Sequence, residues 1–516
     1  MRSARLTARL VLAALLGAVP GCGLLLDLEP ARDGSTPTLD AGAPDAAGDA
    51  GDGPMERCAG GADEDGDGAI DCDDPDCALD AACPDPCDGA DDDGDGRIDE
   101  GVDGCPTVTP GEVTIEVTVA APSRDLHLNL DRTGSMVTVL SALADDLPGL
   151  VSGAGGLPEA GIGVSWFADF PVAAHGASGD TPYDLGLRIT TGVGVGEVAE
   201  ILRGIPPGVG SDRSESGIEA LRQIATGAGV SWGGPNAGAV PAMDCAAGFD
   251  ASLGHGTRGG ACFREDAEPV IFHLTDAASH DADAYADDGV VGPANAADTL
   301  AALRGLGARV VGLWAGLPPP EASLGDPRYP SGMALETGTA VPVCAWDGER
   351  PRVDGRCAAD ACCTGVDEGG VDPTAAGRCP LAFELDYAAP EAAARATTAL
   401  SLLDRFTRRR IALEAVDGAG GTADATCFVS SVQVGDVEGP SDGCAPTPRA
   451  VDTDGDGTPD AVDDATVGTT MTFTVRLSGT DDGTPCGTRG PHRLHLRALA
   501  DARYPQASRD VTVVVD

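Results

Sequence analysis

Asp131, Thr133 and Ser135 stand on alternate residues, D-x-T-x-S, directly after the run "DLHLNL". One carboxylate and two hydroxyls at that spacing point at a single centre when the chain turns over a strand end, and oxygen-only donors favour Mg²⁺, Mn²⁺ or Ca²⁺ over softer metals. Two further segments carry acids suited to join them. "HLTDAASH" brings Asp276 to the end of another apolar run, and "GSDRSESG" places Glu215 in a loop just before a helical pattern. The three segments predict five oxygen ligands on one edge of one sheet. The competing reading is local: Ser, Thr and Asp at a helix start satisfy free backbone N–H groups, and an acid in a first turn suits the helix dipole. His280 reads as a loop-packing residue.

A second acidic pattern recurs three times: Asp63, Asp65, Asp67, Asp71 and Asp74; Asp91, Asp93, Asp95 and Asp99; and Asp452, Asp454, Asp456, Asp460 and Asp463. Acids fall at loop positions one, three, five and nine, with glycine at six. That spacing wraps carboxylates around one hard cation, Ca²⁺, and the glycine permits the sharp turn. The middle loop has Val102 at position twelve, where the others have an acid. No helical pattern flanks the loops, so they resemble thrombospondin type 3 or dockerin-like calcium loops and not EF-hands. An acidic low-complexity spacer is the plainer alternative.

The elements that must position the D-x-T-x-S residues lie in residues 112–415, where short apolar runs alternate with helical patterns. This predicts an α/β fold, a doubly wound, mostly parallel sheet with helices on both faces, which binds ligands at the carboxyl ends of its strands. Cysteine-rich insertions at 245–262 and 344–379 interrupt it and read as disulfide-stapled surface loops, in which adjacent Cys362 and Cys363 pair with different partners. Residues 416–516 alternate with period two, as in "TTMTFTVRL", and predict a small antiparallel β-sandwich with the acidic loop 452–464 inserted between strands.

Before these come segments of other kinds. Residues 1–21 are basic, then apolar, then small, and read as an export signal too short to span a bilayer. Val19, Pro20, Gly21 and Cys22 resemble a bacterial lipobox, with Pro20 an unusual member; that resemblance implies an acylated Cys22 and a lipid anchor in the bacterial cell envelope, in the outer membrane. Residues 22–57 are an Asp-, Ala-, Gly- and Pro-rich stalk with too little to bury, hence disordered, and residues 58–106 are the cysteine-framed calcium loops. Of 17 cysteines, one for lipid leaves an even number for disulfides in an oxidising compartment. The 516-residue chain carries 83 acidic and 33 basic side chains, a net charge of −50, which excludes nucleic acid as a partner.

The stretch "GVSWFADF", followed by "TPYDLGLRIT" and "SDRSESGIEALRQIA", together with D-x-T-x-S and "HLTD", resembles the von Willebrand factor type A domain in its integrin β-subunit form. The resemblance spans residues 124–410. It implies a metal-ion-dependent adhesion site in which Asp131, Thr133, Ser135, Glu215 and Asp276 bind Mg²⁺ or Mn²⁺ directly or through water. A carboxylate from the ligand completes the shell. The chain departs from the pattern in places: Ser214 replaces a loop proline, and Thr138 and Val139 replace the paired acids of an inhibitory calcium site, which is therefore not expected. Asp212 is suited to an adjacent ion, but Gly210 stands where the family has an amide.

The function that follows is a surface-tethered interaction protein, not an enzyme, that binds an acidic group of a protein or glycan. The first rival is a metal-dependent phosphohydrolase of the aspartyl-phosphate type; it needs a second acid where the chain has Thr133 and a lysine that the window around the site lacks. No nucleophile-elbow motif occurs either. The second rival is a calcium-stiffened envelope spacer whose metal edge does not function.

Overall fold

The computed structural model describes residues 107–108 and 111–515, apart from 154–159, 173, 248, 317–320, 348–356, 388–390, 418–424, 441–442, 482–483 and 488–489. The signal segment, Cys22, the stalk and the first two calcium loops, Asp63 to Asp99, lie outside the described residues.

The strands that organise the chain are β1 (Glu112–Thr118), β2 (Arg124–Asp131), β3 (Gly161–Phe167), β4 (Asp184–Thr190), β5 (Glu268–Thr275), β6 (Arg309–Ala315), β7 (Ala382–Leu385), β8 (Arg409–Asp417), β9 (Val429–Glu438), β10 (Arg449–Val451), β11 (Ala461–Ala465), β12 (Thr470–Leu477), β13 (Gly490–Ala500) and β14 (Tyr504–Val515). The helices are α1 (Val137–Gly153), α2 (Val195–Gly204), α3 (Gly217–Thr226), α4 (Ala296–Leu306), α5 (Pro330–Glu336) and α6 (Ala392–Phe406).

Six strands form one mixed sheet in the order β7-β6-β5-β2-β3-β4. All pairs are parallel except the edge pair β3–β4. The chain enters at the centre on β2, winds outward to β4, then returns to the other side of β2 and winds outward again through β5, β6 and β7. Connections therefore leave β2 and β5 in opposite directions. In an open α/β sheet this reversal opens a crevice at the carboxyl ends of the two strands.

Helices α1, α2 and α6 bury Leu140, Leu143, Leu147, Leu202 and Leu403 on one face of the sheet, against Leu126, Leu128 and Leu130 of β2. Helices α3, α4 and α5 cover the other face with Ile218, Leu221, Ile224, Leu303 and Met333. The run "DLHLNL" is buried throughout, but it is apolar on one side only. On alternate residues β2 carries Asp125, His127, Asn129 and Asp131, all without exposure. Their hydrogen bonds make burial tolerable. His127 Nε2 meets Ser165 Oγ at 2.8 Å, that hydroxyl donates to Asn129 Oδ1 at 3.0 Å, and Asn129 Nδ2 lies 2.9 Å from His273 Nδ1.

The antiparallel unit packs a three-stranded sheet, β9-β12-β1, against a larger one in which β14, β13, β8, β11 and β10 are neighbours. Met471, Phe473, Val475 and Leu477 all face its core, as their period of two requires. Its first strand differs from expectation. Glu112–Thr118, read as the opening of the α/β unit, alternates exposed and buried and pairs with β12. Such a strand suits a sheet with one wet face, not a centre covered by helices. The α/β unit thus runs from β2 to α6 and is inserted between two strands of the sandwich, β1 and β8.

Cys362 pairs with Cys379 and Cys363 with Cys357. The expectation that this insertion is only a surface loop needs correction. Cys357, Cys362, Cys363, Cys379 and Trp346 are buried in the same core as α1 and α6, because disulfide sulfur is apolar and this segment covers the sheet beside β7. Cys245–Cys262 closes the other insertion, and Cys344–Cys444 ties the α/β unit to the sandwich.

Candidate metal centre

Asp131 is the last residue of β2 and has no solvent exposure. Its Oδ1 accepts from the Thr133 backbone N–H at 2.9 Å and from Thr133 Oγ1 at 2.7 Å, and its Oδ2 accepts from Thr275 Oγ1 at 2.8 Å. Thr133 Oγ1 and Ser135 Oγ are 3.3 Å apart, with Ser135 exposed at the rim. The capping alternative predicts that these hydroxyls bond the N–H groups of the following turn. Thr133 sits at the cap position but makes no side-chain cap bond; its hydroxyl turns back to Asp131.

The acidic loop is stitched into place by its backbone. Glu215 N–H donates to Ala278 O at 3.0 Å, and His280 N–H donates to Glu215 O at 2.8 Å. Ser216, at the start of α3, donates its hydroxyl to Ala168 O at 2.6 Å. The loops after β3 and β5 thereby hold Glu215 between them. Glu215 is 5% exposed, and its Oε2 is buried with no hydrogen-bond partner among the described residues. Asp276, one residue beyond β5, is half-buried and accepts a hydrogen bond from the Tyr387 phenol.

Burial, with the nearby Asp276 charge adding to it, pushes Asp131 up to about 6 against the opposing hydrogen bonds from Thr133 and Thr275. Burial first, then the charges of Asp131, Asp169, Asp212 and Asp180, push Glu215 up to about 10. Neighbouring Arg132 does not relieve this crowding. Its guanidinium turns away to Pro206 O, Gly179 O and Thr181 Oγ1. Asp131 feels the charge of Asp276, and Glu215 that of Asp131, but among the described residues these three do not form a group whose ligand atoms lie within 4.8 Å of one another.

Beside these residues lies a cluster that spacing did not reveal. Asp169, His175, Asp212 and His280 each offer one ligand atom, and these four atoms lie within 4.8 Å of one another. His280, read from sequence as loop packing, places Nε2 3.0 Å from Asp212 Oδ2 and 3.3 Å from Asp169 Oδ2. Burial pushes Asp169 up to about 7, opposed by hydrogen bonds from Tyr285 and the Phe170 N–H. Among these four, sequence reasoning had marked only Asp212. Thr275 and Tyr387, which hold Asp131 and Asp276, were also missed.

The third acidic loop is the tip of the β10–β11 hairpin, as expected of an insertion between strands. It brings Asp452, Asp454 and Asp456 together. Asp460 instead accepts from Thr453 N–H and Oγ1, and Asp463 is paired with Arg410 at 2.6 Å. The expected position-twelve ligand is thus turned toward β8 by an ion pair.

No family model and no curated protein matches the chain. Among solved structures it is similar to the pilus adhesin SpaC from Lactobacillus rhamnosus GG in its open conformation. The identity is 13%, the TM-score 0.28, and the match covers 78% of this chain and 45% of the adhesin. A second crystal form of that adhesin gives 14% identity and a TM-score of 0.26, covering 78% of this chain and 46% of the adhesin. The chain spans less than half the length of the adhesin, and a likeness at these TM-scores carries no conclusion about fold or role.

Proposed function

We propose that this chain is an exported binding protein built on a von Willebrand factor type A unit, and that it captures an acidic group of a protein or glycan through a divalent cation. Mg²⁺ or Mn²⁺ would be held at the rim by Asp131, Thr133, Ser135, Glu215 and Asp276. The observation that carries this reading is the position of Asp131 and Asp276 at the ends of β2 and β5, the two strands where the winding reverses. Glu215 is pinned to the loop beyond β5 beside them. A cation there relieves the crowding of the carboxylates and keeps a coordination position for an incoming carboxylate. The hydroxyls of Thr133 and Thr275 orient Asp131, and Tyr387 orients Asp276.

Export is supported by five disulfides among the described residues, which persist in oxidising compartments. Among those residues no helix is long and apolar enough to cross a membrane. Acylation of Cys22 would hold the protein at the envelope surface, where tethering multiplies weak contacts through effective concentration.

The test is calorimetric titration of Mg²⁺ and Mn²⁺ into the oxidised protein and into Asp131→Ala. A fragment of residues 112–415 is unsuitable, because β1 and β8 belong to the sandwich. Loss of one saturable site in the variant, over the uptake by the acidic loops that both proteins share, supports the reading. Equal heats from both folded proteins, or none from either, defeat it and favour the structural spacer.

A further inference from the structure

We infer that Asp169, His175, Asp212 and His280 form a Zn²⁺ site, distinct from the oxygen-only rim site, that clamps three loops of the sheet edge together. The four residues come from separate places: Asp169 and His175 from the loop after β3, Asp212 from the acidic loop before α3, and His280 from the loop after β5. Two imidazole nitrogens and two carboxylate oxygens are a borderline donor set. Imidazole suits zinc and its neighbours, whereas Mg²⁺ and Ca²⁺ take oxygen.

Three of the six donor pairs already stand at the spacing of a small tetrahedral ion, and all four atoms lie within 4.8 Å of one another. A tetrahedral shell with bonds of about 2.0–2.1 Å places neighbouring ligand atoms roughly 3.3 Å apart. His175 Nδ1 to Asp212 Oδ2 is 3.2 Å, His280 Nε2 to Asp212 Oδ2 is 3.0 Å, and His280 Nε2 to Asp169 Oδ2 is 3.3 Å.

Two further observations point inward to a ligand. Asp169 is completely buried, yet among the described residues its Oδ2 has no hydrogen-bond partner, while its Oδ1 accepts from Tyr285 Oη at 2.5 Å and from the Phe170 N–H at 2.6 Å. The carboxylate is therefore oriented by one oxygen and offers the other to the cluster. His175 is oriented in the same sense. Its Nε2 lies 3.0 Å from Asp288 Oδ2 and 3.1 Å from Ala284 O, both acceptors; in the tautomer protonated at Nε2 that nitrogen donates to them and the Nδ1 lone pair faces the centre. A carboxylate behind a ligating histidine is the usual outer partner of a zinc imidazole. Asp212 is 31% exposed and supplies the way in.

The consequence reaches Glu215. The acidic loop carries Asp212 and Glu215 three residues apart, and His280 N–H already donates to Glu215 O. An ion bridging Asp212 and His280 would lock that pairing and set Glu215 at the rim. The inference does not depend on the rim site binding a cation.

Co²⁺ replaces Zn²⁺ in such sites and reports their geometry by its visible bands. The full chain, stripped with chelator, is titrated with Co²⁺ and then with Zn²⁺. The expected result is saturable tetrahedral-intensity bands that Zn²⁺ abolishes, that disappear in His175→Ala/His280→Ala, and that persist in Asp131→Ala. Absence of such bands from the wild type overturns the assignment, and so does their survival in the double histidine variant. Their loss in Asp131→Ala would place the ion at the rim and overturn it equally. Should the double variant fail to fold, carbethoxylation of the wild type serves instead: Zn²⁺ must protect His175 and His280 from modification, mapped by mass spectrometry. Unchanged modification of either imidazole overturns the site.

Discussion

Glu268 begins β5 at the end of the sheet opposite the rim, 1% exposed and surrounded by guanidinium groups. Arg124 Nε lies 3.3 Å from Oε2, Arg309 Nε 3.3 Å from Oε1, and Arg409 Nη2 3.0 Å from Oε1. Arg409 belongs to β8, so this carboxylate joins the α/β sheet to the sandwich. Burial alone would raise the Glu268 carboxyl, but Arg409, Arg124 and Arg309 outweigh it and hold the group at about 2, below its ordinary 4.5. A carboxyl depressed on folding contributes stability that is fully present above pH 4.5 and is lost as pH falls toward 2. The interval is worth about 3 kcal/mol at about 1.4 kcal/mol per decade. Removing one partner of a buried ion pair costs about 3–5 kcal/mol, a comparable figure from a separate argument. Glu268→Gln should therefore lose about 3 kcal/mol at pH 7, measured by denaturant unfolding with disulfides intact. The two proteins should converge as pH is lowered from 4.5 toward 2, because other carboxyls titrate alike in both. A difference that stays constant with pH, or a variant as stable as the wild type at pH 7, would refute the electrostatic account.

Burial lowers His127 to about 3 and His273 to about 4, so both stay neutral in the folded chain while the unfolded chain takes up protons below 6.5. Stability should fall as pH drops below 6.5, by about 1.4 kcal/mol per pH unit for each imidazole; imidazole NMR signals from these two that titrate near pH 6 would contradict this. Gly217 opens α3 where an added Cβ would lie 2.4 Å from Ser279 Oγ and 3.1 Å from the His273 ring. Gly217→Ala should destabilise by about 1–3 kcal/mol and weaken Mg²⁺ binding by displacing the neighbouring acidic loop, checked by unfolding and calorimetry. Unchanged affinity would show that Glu215 is not held through this packing.

What the sequence determined by itself is what depends on neighbours along the chain. D-x-T-x-S is a local turn, so its oxygens were legible from spacing, as were the strand ending in "HLTD" and the period of two in "TTMTFTVRL". The separate pairing of Cys362 and Cys363 followed from their adjacency, because two residues in sequence cannot easily face the same partner. Other features depend on which strands become neighbours, and only the tertiary structure decided those. Glu112–Thr118 has the alternation of a one-faced strand, but its partner β12 lies more than 350 residues away, so sequence order assigned it to the wrong sheet. The polar face of β2 is stable only because Ser165 and His273 arrive on adjacent strands to bond Asn129 and, through Ser165, His127. Asp463 kept the position of a calcium ligand in sequence, yet Arg410 from another strand claims it. The histidine and aspartate cluster had no spacing to read, since its members come from three loops that meet because the winding of the sheet reverses beside them.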